Sequence, residues 1–145
     1  RANPDQIALL ETNPALWPNA VEELLRFDPT FRSDPRTALE DFELAGHQIK
    51  KGQNIVVMTQ LANRDHRRLP DADELRVDRD DPSPLTFGHG IHYCLGAALA
   101  RAELRTALPR LLEALRDYRI DHDGIEWCES TSLRGPNRLP LALSV

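Results

Sequence analysis

The strongest constraint on the fold of this chain is a glycine-interrupted loop that ends in a cysteine and runs directly into a long helical segment. The loop covers residues 87–96 and carries Cys94 near its end. Leucine and alanine then recur at helical spacing, which predicts a helix over residues 95–117 that could bend at Pro109. The first turn of a helix presents unpaired N–H groups and a partial positive charge, and both favour a thiolate over a thiol.

The other elements predicted from the sequence are short. Asn3-Pro4 starts a helix that extends to about Glu11, and Trp17-Pro18-Asn19 starts a second one that Asp28-Pro29 ends. Residues 31–36 are expected to be extended or irregular. The remaining predictions are strands at 41–45 and 54–58, a short helix at 59–63, a long connection without periodicity at 64–87, and strands at 118–122 and 139–145 joined by a loop. These patterns predict a mainly α chain with small antiparallel β-sheets (α+β).

Composition excludes several classes of function. The 145 residues suit one domain, and a net charge of −5 argues against a protein that binds nucleic acid through phosphate contacts. The sequence contains no run of about 18 consecutive apolar residues, so it predicts no membrane span. Two cysteines are too few for a disulfide scaffold. The chain starts at Arg1 and its only methionine is Met58, so we expect it to be part of a longer protein.

The glycines and the aromatic residue of the loop suit a large flat ligand. Gly88, Gly90 and Gly96 lack a Cβ, so the backbone can pass close to such a ligand. Phe87 is an apolar residue that can shield the ligand from water. A cysteine that ligates haem iron requires an anionic sulfur, amide hydrogen bonds that tune it, and the exclusion of water. The surroundings of Cys94 in the sequence meet these requirements.

Two other interpretations of Cys94 stay open at this stage. The first is a buried structural thiol, which is the common state of a free cysteine and our interpretation of Cys128. The second is a zinc site formed by His89, His92 and Cys94, for which no fourth ligand is evident. The Gly-x-Gly at positions 88–90 is not a dinucleotide fingerprint, because Tyr93 occupies the third glycine position.

A second pattern places Glu23 and Arg26 on one face of the second predicted helix. Their i, i+3 spacing puts the two side chains next to each other beside an apolar stripe. In isolation, such a pair is most often a solvated surface salt bridge that contributes little to stability.

Taken together, the two patterns resemble those of the cytochrome P450 family of haem-thiolate monooxygenases. The residues of the motifs are most similar to those of soluble bacterial members. The resemblance rests on Glu23-x-x-Arg26 upstream of Phe87-x-x-Gly90-x-x-x-Cys94-x-Gly96. Three further motifs follow the family order: Asn63-Arg64-Asp65 leading into Pro70-Asp71-Ala72-Asp73, Ala98-Leu99-Ala100-Arg101-x-Glu103, and Arg134-Gly135-x-x-x-Leu139-Pro140. The match covers essentially the whole chain.

The resemblance implies roles for the matching residues. Cys94 would be the proximal ligand of the iron in haem b, and His92 and Arg36 would donate to the haem propionates. The implied cofactor-binding set is Cys94, His92, Arg36, Phe87, Gly88, Gly90 and Gly96. Glu23 and Arg26 would form a buried network that holds the family's meander beneath the haem. Thr30, Phe31 and Leu133 would line the substrate pocket.

One position departs from the family pattern. The Glu-x-x-Arg network commonly includes a third arginine in the meander, and Glu74 stands in its place here. Either Arg76 or Arg64 substitutes for that arginine, or another group closes the network.

The resemblance also has implications for the whole protein. Residues 1–145 would be the C-terminal haem-binding portion of a larger single-domain cytochrome P450, without the helices of the distal side. The parent would be a cytoplasmic enzyme that inserts oxygen from O₂ into a small organic substrate. Its electrons would come from a ferredoxin- or flavodoxin-type donor docked near Arg101 and Arg105, with no nucleic acid or membrane involved. Alternatives are a non-catalytic module that holds haem or zinc through Cys94, and a truncated product inactive alone.

Overall fold

The helices of the computed structural model, which describes residues 3–143, lie close to their predicted positions. Helix α1 spans Pro4–Thr12, α2 spans Trp17–Phe27, α3 spans Thr59–Ala62 and α4 spans Ala97–Ala114. Single turns of 3₁₀ helix occur at Pro14–Leu16, Gly90–His92 and His122–Gly124. The predicted starts of α1 and α2 are confirmed, and both helices have proline in their first turn.

Helix α4 is shorter than predicted at both ends. The 3₁₀ turn and the following bend use residues 90–96, so the helix begins at Ala97 and not at residue 95. It continues through Pro109 and ends at Ala114. Within the described residues, no helix combines the length and apolarity needed to cross a lipid bilayer.

The strands form two-stranded antiparallel sheets. Strand β1 (Asp34–Thr37) pairs with β4 (Asn54–Val57), and β2 (Phe42–Leu44) pairs with β3 (His47–Ile49). Near the C-terminus, β5 (Tyr118–Ile120) pairs with β8 (Leu141–Leu143), and β6 (Glu126–Trp127) pairs with β7 (Pro136–Arg138). The predicted fold class, mainly α with small antiparallel sheets, is confirmed.

Two of the sheets contain strands that the sequence patterns did not identify as strands. β1 is a strand where we expected extended or irregular chain, because its backbone pairs with β4 in register from Asp34 opposite Val57 to Thr37 opposite Asn54. β6 and β7 occupy part of the predicted tail loop. The last predicted strand, 139–145, begins at Leu141, and its final residues 144 and 145 lie outside the described part of the chain.

The buried core lies where α1 and α2 meet the long connection. Its buried members are Leu10, Ala20 and Val77. The partly buried side chains of Leu9, Leu16 and Trp17 pack against them. The Asn19 side chain donates to the carbonyl oxygens of Val77 and Arg79 at 2.8 and 2.9 Å, and the Val77 N–H donates to Gln6 Oε1 at 2.8 Å. The connection therefore has a fixed path despite its lack of periodicity.

Candidate functional site

The loop before α4 is shaped by two glycines in the left-handed backbone region. Gly88 has φ +74° and Gly90 has φ +69°, a conformation that side-chain-bearing residues rarely adopt. The turn they form lets the Cys94 N–H donate to the carbonyl oxygen of Phe87 at 2.9 Å. Gly96 follows, and a Cβ there would lie 3.9 Å from the Cys94 sulfur, an ordinary contact distance. The loop thus holds Cys94 immediately before the N-terminus of α4.

The loop presents its cysteine together with uncovered apolar side chains. Cys94 is exposed, and Ile91 and Leu95 are 97% and 102% exposed. The interpretation of Cys94 as a buried thiol is therefore wrong for this structure. An exposed sulfur flanked by apolar side chains at the start of a long helix fits the axial ligand of a large apolar cofactor.

The zinc alternative lacks geometric support. Across residues 3–143, no three His, Cys, Asp or Glu side chains lie close enough together to hold a metal ion. His89 and His92 therefore do not form a common site with Cys94.

Arg36 and His92, the two expected propionate donors, are related to each other through Asp34. Arg36, on β1, forms an ion pair with Asp34 at 2.6 Å and is 42% exposed. The hydrogen bond from Arg36 is the main cause that lowers the pKa of Asp34, and the charge of His92 adds a smaller contribution. Arg36 and His92 therefore both lie near the Asp34 carboxylate.

Glu23 and Arg26 form a buried ion pair, in contrast to the solvated pair that the spacing alone suggests. Both side chains have 0% exposure, and Arg26 Nε and Nη2 donate to the two Glu23 oxygens at 2.7 and 2.8 Å. The other Arg26 N–H groups donate to the carbonyl oxygens of Asn63, Ala72 and Glu74 at 2.7–3.0 Å. All five donors of this guanidinium are thus satisfied, as burial of a charge requires.

Arg79, and neither Arg76 nor Arg64, is the second arginine whose side chain contacts Glu23. Its Nε lies 3.3 Å from Glu23 Oε1, and its side chain is 7% exposed. The remaining donors reach the carbonyl oxygens of Pro70, Asp71 and Glu74 at 3.0–3.1 Å. Glu74, where the family arginine is expected, contributes only its carbonyl oxygen to this cluster. We call Glu23, Arg26 and Arg79, with the carbonyls they bind, the charge network.

The two arginines considered from the sequence have other partners. Arg76 supplies only its backbone N–H to Glu23, at 2.9 Å, and its side chain faces Asp78 at 3.7 Å. Arg64 donates to the carbonyl oxygen of Phe27 and to Asp73. Sequence reasoning missed Arg79 because the segment around it has no periodicity and because Arg79 lies 56 residues from Glu23 in the sequence.

Burial and hydrogen bonding act on Glu23 in opposite directions. Burial would raise its pKa, but the hydrogen bonds from Arg26 and the Arg76 N–H, with the charges of Arg26 and Arg79, lower it below 4.5. Glu23 is therefore ionised near neutral pH.

The expected substrate-lining residues come together from distant parts of the chain. Phe31 and Leu133 face each other in an antiparallel bridge. The Arg134 N–H donates to the carbonyl oxygen of Thr30 at 2.7 Å, and the Arg32 N–H donates to that of Ser132 at 2.8 Å. Phe31 and Leu133 remain 57% and 38% exposed, so this bridge presents an apolar surface.

The chain is similar in sequence to known proteins of one family. A sequence model described as "Cytochrome P450" matches residues 13–131. The mycinamicin IV hydroxylase/epoxidase of Micromonospora griseorubida is 46% identical over 132 residues, which cover 88% of this chain and 33% of the relative. Cytochrome P450-SU2 of Streptomyces griseolus is 41% identical over 143 residues, which cover 97% of this chain and 36% of the relative. The chain thus spans about a third of the length of the curated relatives it matches.

Solved structures agree with the sequence matches. The LnmA cytochrome P450 hydroxylase of Streptomyces atroolivaceus superposes with a TM-score of 0.82 at 46% identity, covering 97% of this chain and 37% of that one. The PksS cytochrome P450 of Bacillus subtilis superposes with a TM-score of 0.92 at 36% identity, covering 99% of this chain and 38% of that one.

Proposed function

The chain belongs to the cytochrome P450 family, and we propose that it is the C-terminal haem-binding portion of a haem-thiolate monooxygenase. The observation that carries the proposal is the exposed Cys94 at the start of α4, held by its N–H to the Phe87 carbonyl and flanked by the uncovered Ile91 and Leu95. When bound, haem b would supply activation of O₂ and insertion of one oxygen atom into an organic substrate.

This chain's own residues would bind and orient the cofactor. We propose that the Cys94 thiolate is the iron ligand and that Phe87 shields it from water. Arg36 and His92 would bind the propionates, because a guanidinium fork matches a carboxylate and Arg36 already pairs with the carboxylate of Asp34, near which His92 also lies. Thr30, Phe31 and Leu133 would contribute to the substrate pocket.

The rest of the reaction would require parts of the protein outside this chain. We propose that the remaining two thirds supply the distal helices, the groups that deliver protons and most of the substrate pocket. The exposed apolar side chains support this, since Leu39 is 84% and Leu99 is 64% exposed. On its own, the chain would bind haem weakly and would not oxidise substrate. We further propose a cytoplasmic location, a small organic substrate and a ferredoxin- or flavodoxin-type electron donor.

The test is a reduced, carbon-monoxide difference spectrum of the longer protein and of this chain with added haem. The matched variants are Cys94→Ala and Cys128→Ala. We expect a thiolate-type Soret band in the longer protein and in its Cys128→Ala variant, and its loss in Cys94→Ala. A thiolate-type band that survives Cys94→Ala would refute the assignment of the ligand.

A further inference from the structure

Arg101 is a charged side chain that joins three separate segments around the cysteine loop. It lies on α4, and its Nε and Nη2 donate to Glu22 Oε1 and Oε2 on α2 at 2.7 and 2.9 Å. Its Nη1 donates to the Tyr93 hydroxyl at 2.8 Å. The guanidinium carbon also lies 4.7 Å from the centroid of the Phe87 ring. This fork geometry uses both the hydrogen-bonding and the stacking capacity of arginine.

The two loop residues that Arg101 contacts are those that hold Cys94. The Phe87 carbonyl oxygen accepts the Cys94 N–H, and Tyr93 is bonded directly to Cys94. Arg101 therefore connects both sides of the cysteine to α2, the helix that also carries Glu23 and Arg26. The hydrogen bond from Glu22 is the main cause that raises the pKa of Arg101 well above its ordinary value.

The contacts of Arg101 differ from those of a cation that is available to dock a partner protein. Docking is the role expected for Arg101 from the sequence. The Arg101 side chain is 23% exposed, and three of its nitrogens have partners within the fold. Arg105, one helical turn later, is 46% exposed and reaches Glu22 only at 3.5 Å. Arg105 is therefore a matched control with the same charge, the same helix and the same acidic neighbour.

We infer that Arg101 is a positioning residue that, held by Glu22, fixes the Cys94 loop through Phe87 and Tyr93 and so orients the thiolate toward the haem iron. This inference rests on the proposed haem ligation by Cys94. Outer-shell partners of a metal ligand commonly contribute about tenfold or more to metal affinity or activity. Loss of the Arg101 contacts would let the loop move, and the Cys94 sulfur with it, although the sequence of the loop is unchanged.

The experiment compares Arg101→Gln, Arg101→Lys and Arg105→Gln in the haem-loaded longer protein. Dithionite serves as reductant and carbon monoxide as probe, so that no docking is involved. For Arg101→Gln we expect about tenfold faster haem transfer to excess apomyoglobin and a partial loss of the thiolate-type Soret band. Arg101→Lys should recover only part of this loss because it lacks the fork, and Arg105→Gln should match the wild type.

Glu22→Gln provides a second variant that leaves Arg101 in place. It should change the spectrum in the same direction as Arg101→Gln, and far-ultraviolet circular dichroism checks that each variant is folded. Wild-type spectra in all folded variants, with slower reduction by a protein donor alone, would overturn the inference and make Arg101 a docking residue. Absence of a thiolate-type band in the wild type would instead refute the proposed function, and the inference with it.

Discussion

The charge network and the cysteine loop, residues 87–96, meet the solvent in opposite ways. The side chains of Glu23, Arg26 and Arg79 are at most 7% exposed, although all three are charged. The loop contains Ile91 and Leu95, which are almost fully exposed although both are apolar. The network thus buries charged side chains, which water would solvate well, whereas the loop exposes apolar side chains, which water solvates poorly.

The two regions differ in whether the described residues satisfy their interactions. The network has its partners within the chain, whereas the apolar side chains of the loop are uncovered. Buried charges are tolerated only when their partners are present, and the network supplies these partners from α2 and residues 63–79. Exposed apolar side chains beside a cysteine gain from burial only when something else covers them. We therefore propose that the network serves stability and the loop serves cofactor binding, and the following changes test that division.

The largest effect is expected from Arg26→Met. This variant leaves Glu23 and three carbonyl groups without their main donor, so the free energy of unfolding should fall by about 3–5 kcal/mol. Arg138→Met, which breaks an exposed pair with Glu126, should cost less than about 1 kcal/mol. Urea unfolding measures both, and equal losses would show that burial of the Glu23 pair adds nothing.

The next effect is expected from Arg79→Met, which removes the second arginine side chain that contacts Glu23. Three backbone carbonyls lose a donor, so we expect a loss of about 1–3 kcal/mol in the free energy of unfolding. Arg76→Met is the control, since only its backbone N–H reaches Glu23. A larger loss for Arg76→Met than for Arg79→Met would contradict the assignment of Arg79.

Titration of Glu23 should weaken the network in acid. Its pKa is lowered in the folded state, so the stability it contributes is fully present above its ordinary pKa of 4.5 and is lost as pH falls through the lower folded value. The difference in unfolding free energy between the wild type and Glu23→Gln should therefore shrink steadily below about pH 4.5. A difference that does not change with pH would mean that Glu23 is not ionised in the folded protein.

The smallest effect on stability is expected in the loop, from Gly90→Ala. The φ of +69° strains any residue with a Cβ, at a cost of about 1–2 kcal/mol. Gly135→Ala is the control, because the φ of Gly135 is not positive and a Cβ added there would meet no other atom within 4 Å. Thermal unfolding compares the two, and a Gly135→Ala loss equal to that of Gly90→Ala would show that the loop turn does not depend on glycine.

The sequence predicted the helices better than the network that joins them. The starts of α1 and α2 follow from prolines that fit the first helical turn, and that signal is local. The sequence did not identify Arg79 because it contacts Glu23 at a sequence separation of 56 residues. Its other partners are backbone carbonyl groups, which every residue carries. Strands β6 and β7 were missed because segments of two and three residues are too short to show alternation. Glu23 and Arg26 stood out only through the family resemblance.

The most direct test of the contrast is residue-resolved amide exchange in the longer protein, with and without haem. The N–H groups of Arg76 and Val77 donate to Glu23 and Gln6, and we expect both to exchange slowly in either state. The N–H groups of Gly88 and Cys94 donate to the carbonyl oxygens of Leu85 and Phe87, but their loop carries exposed side chains, so we expect these two groups to exchange faster without haem than with it. Equal protection of the Cys94 N–H with and without haem would contradict the division between the two regions. Arg76 and Val77 N–H groups that exchange slowly only with haem would contradict it as well.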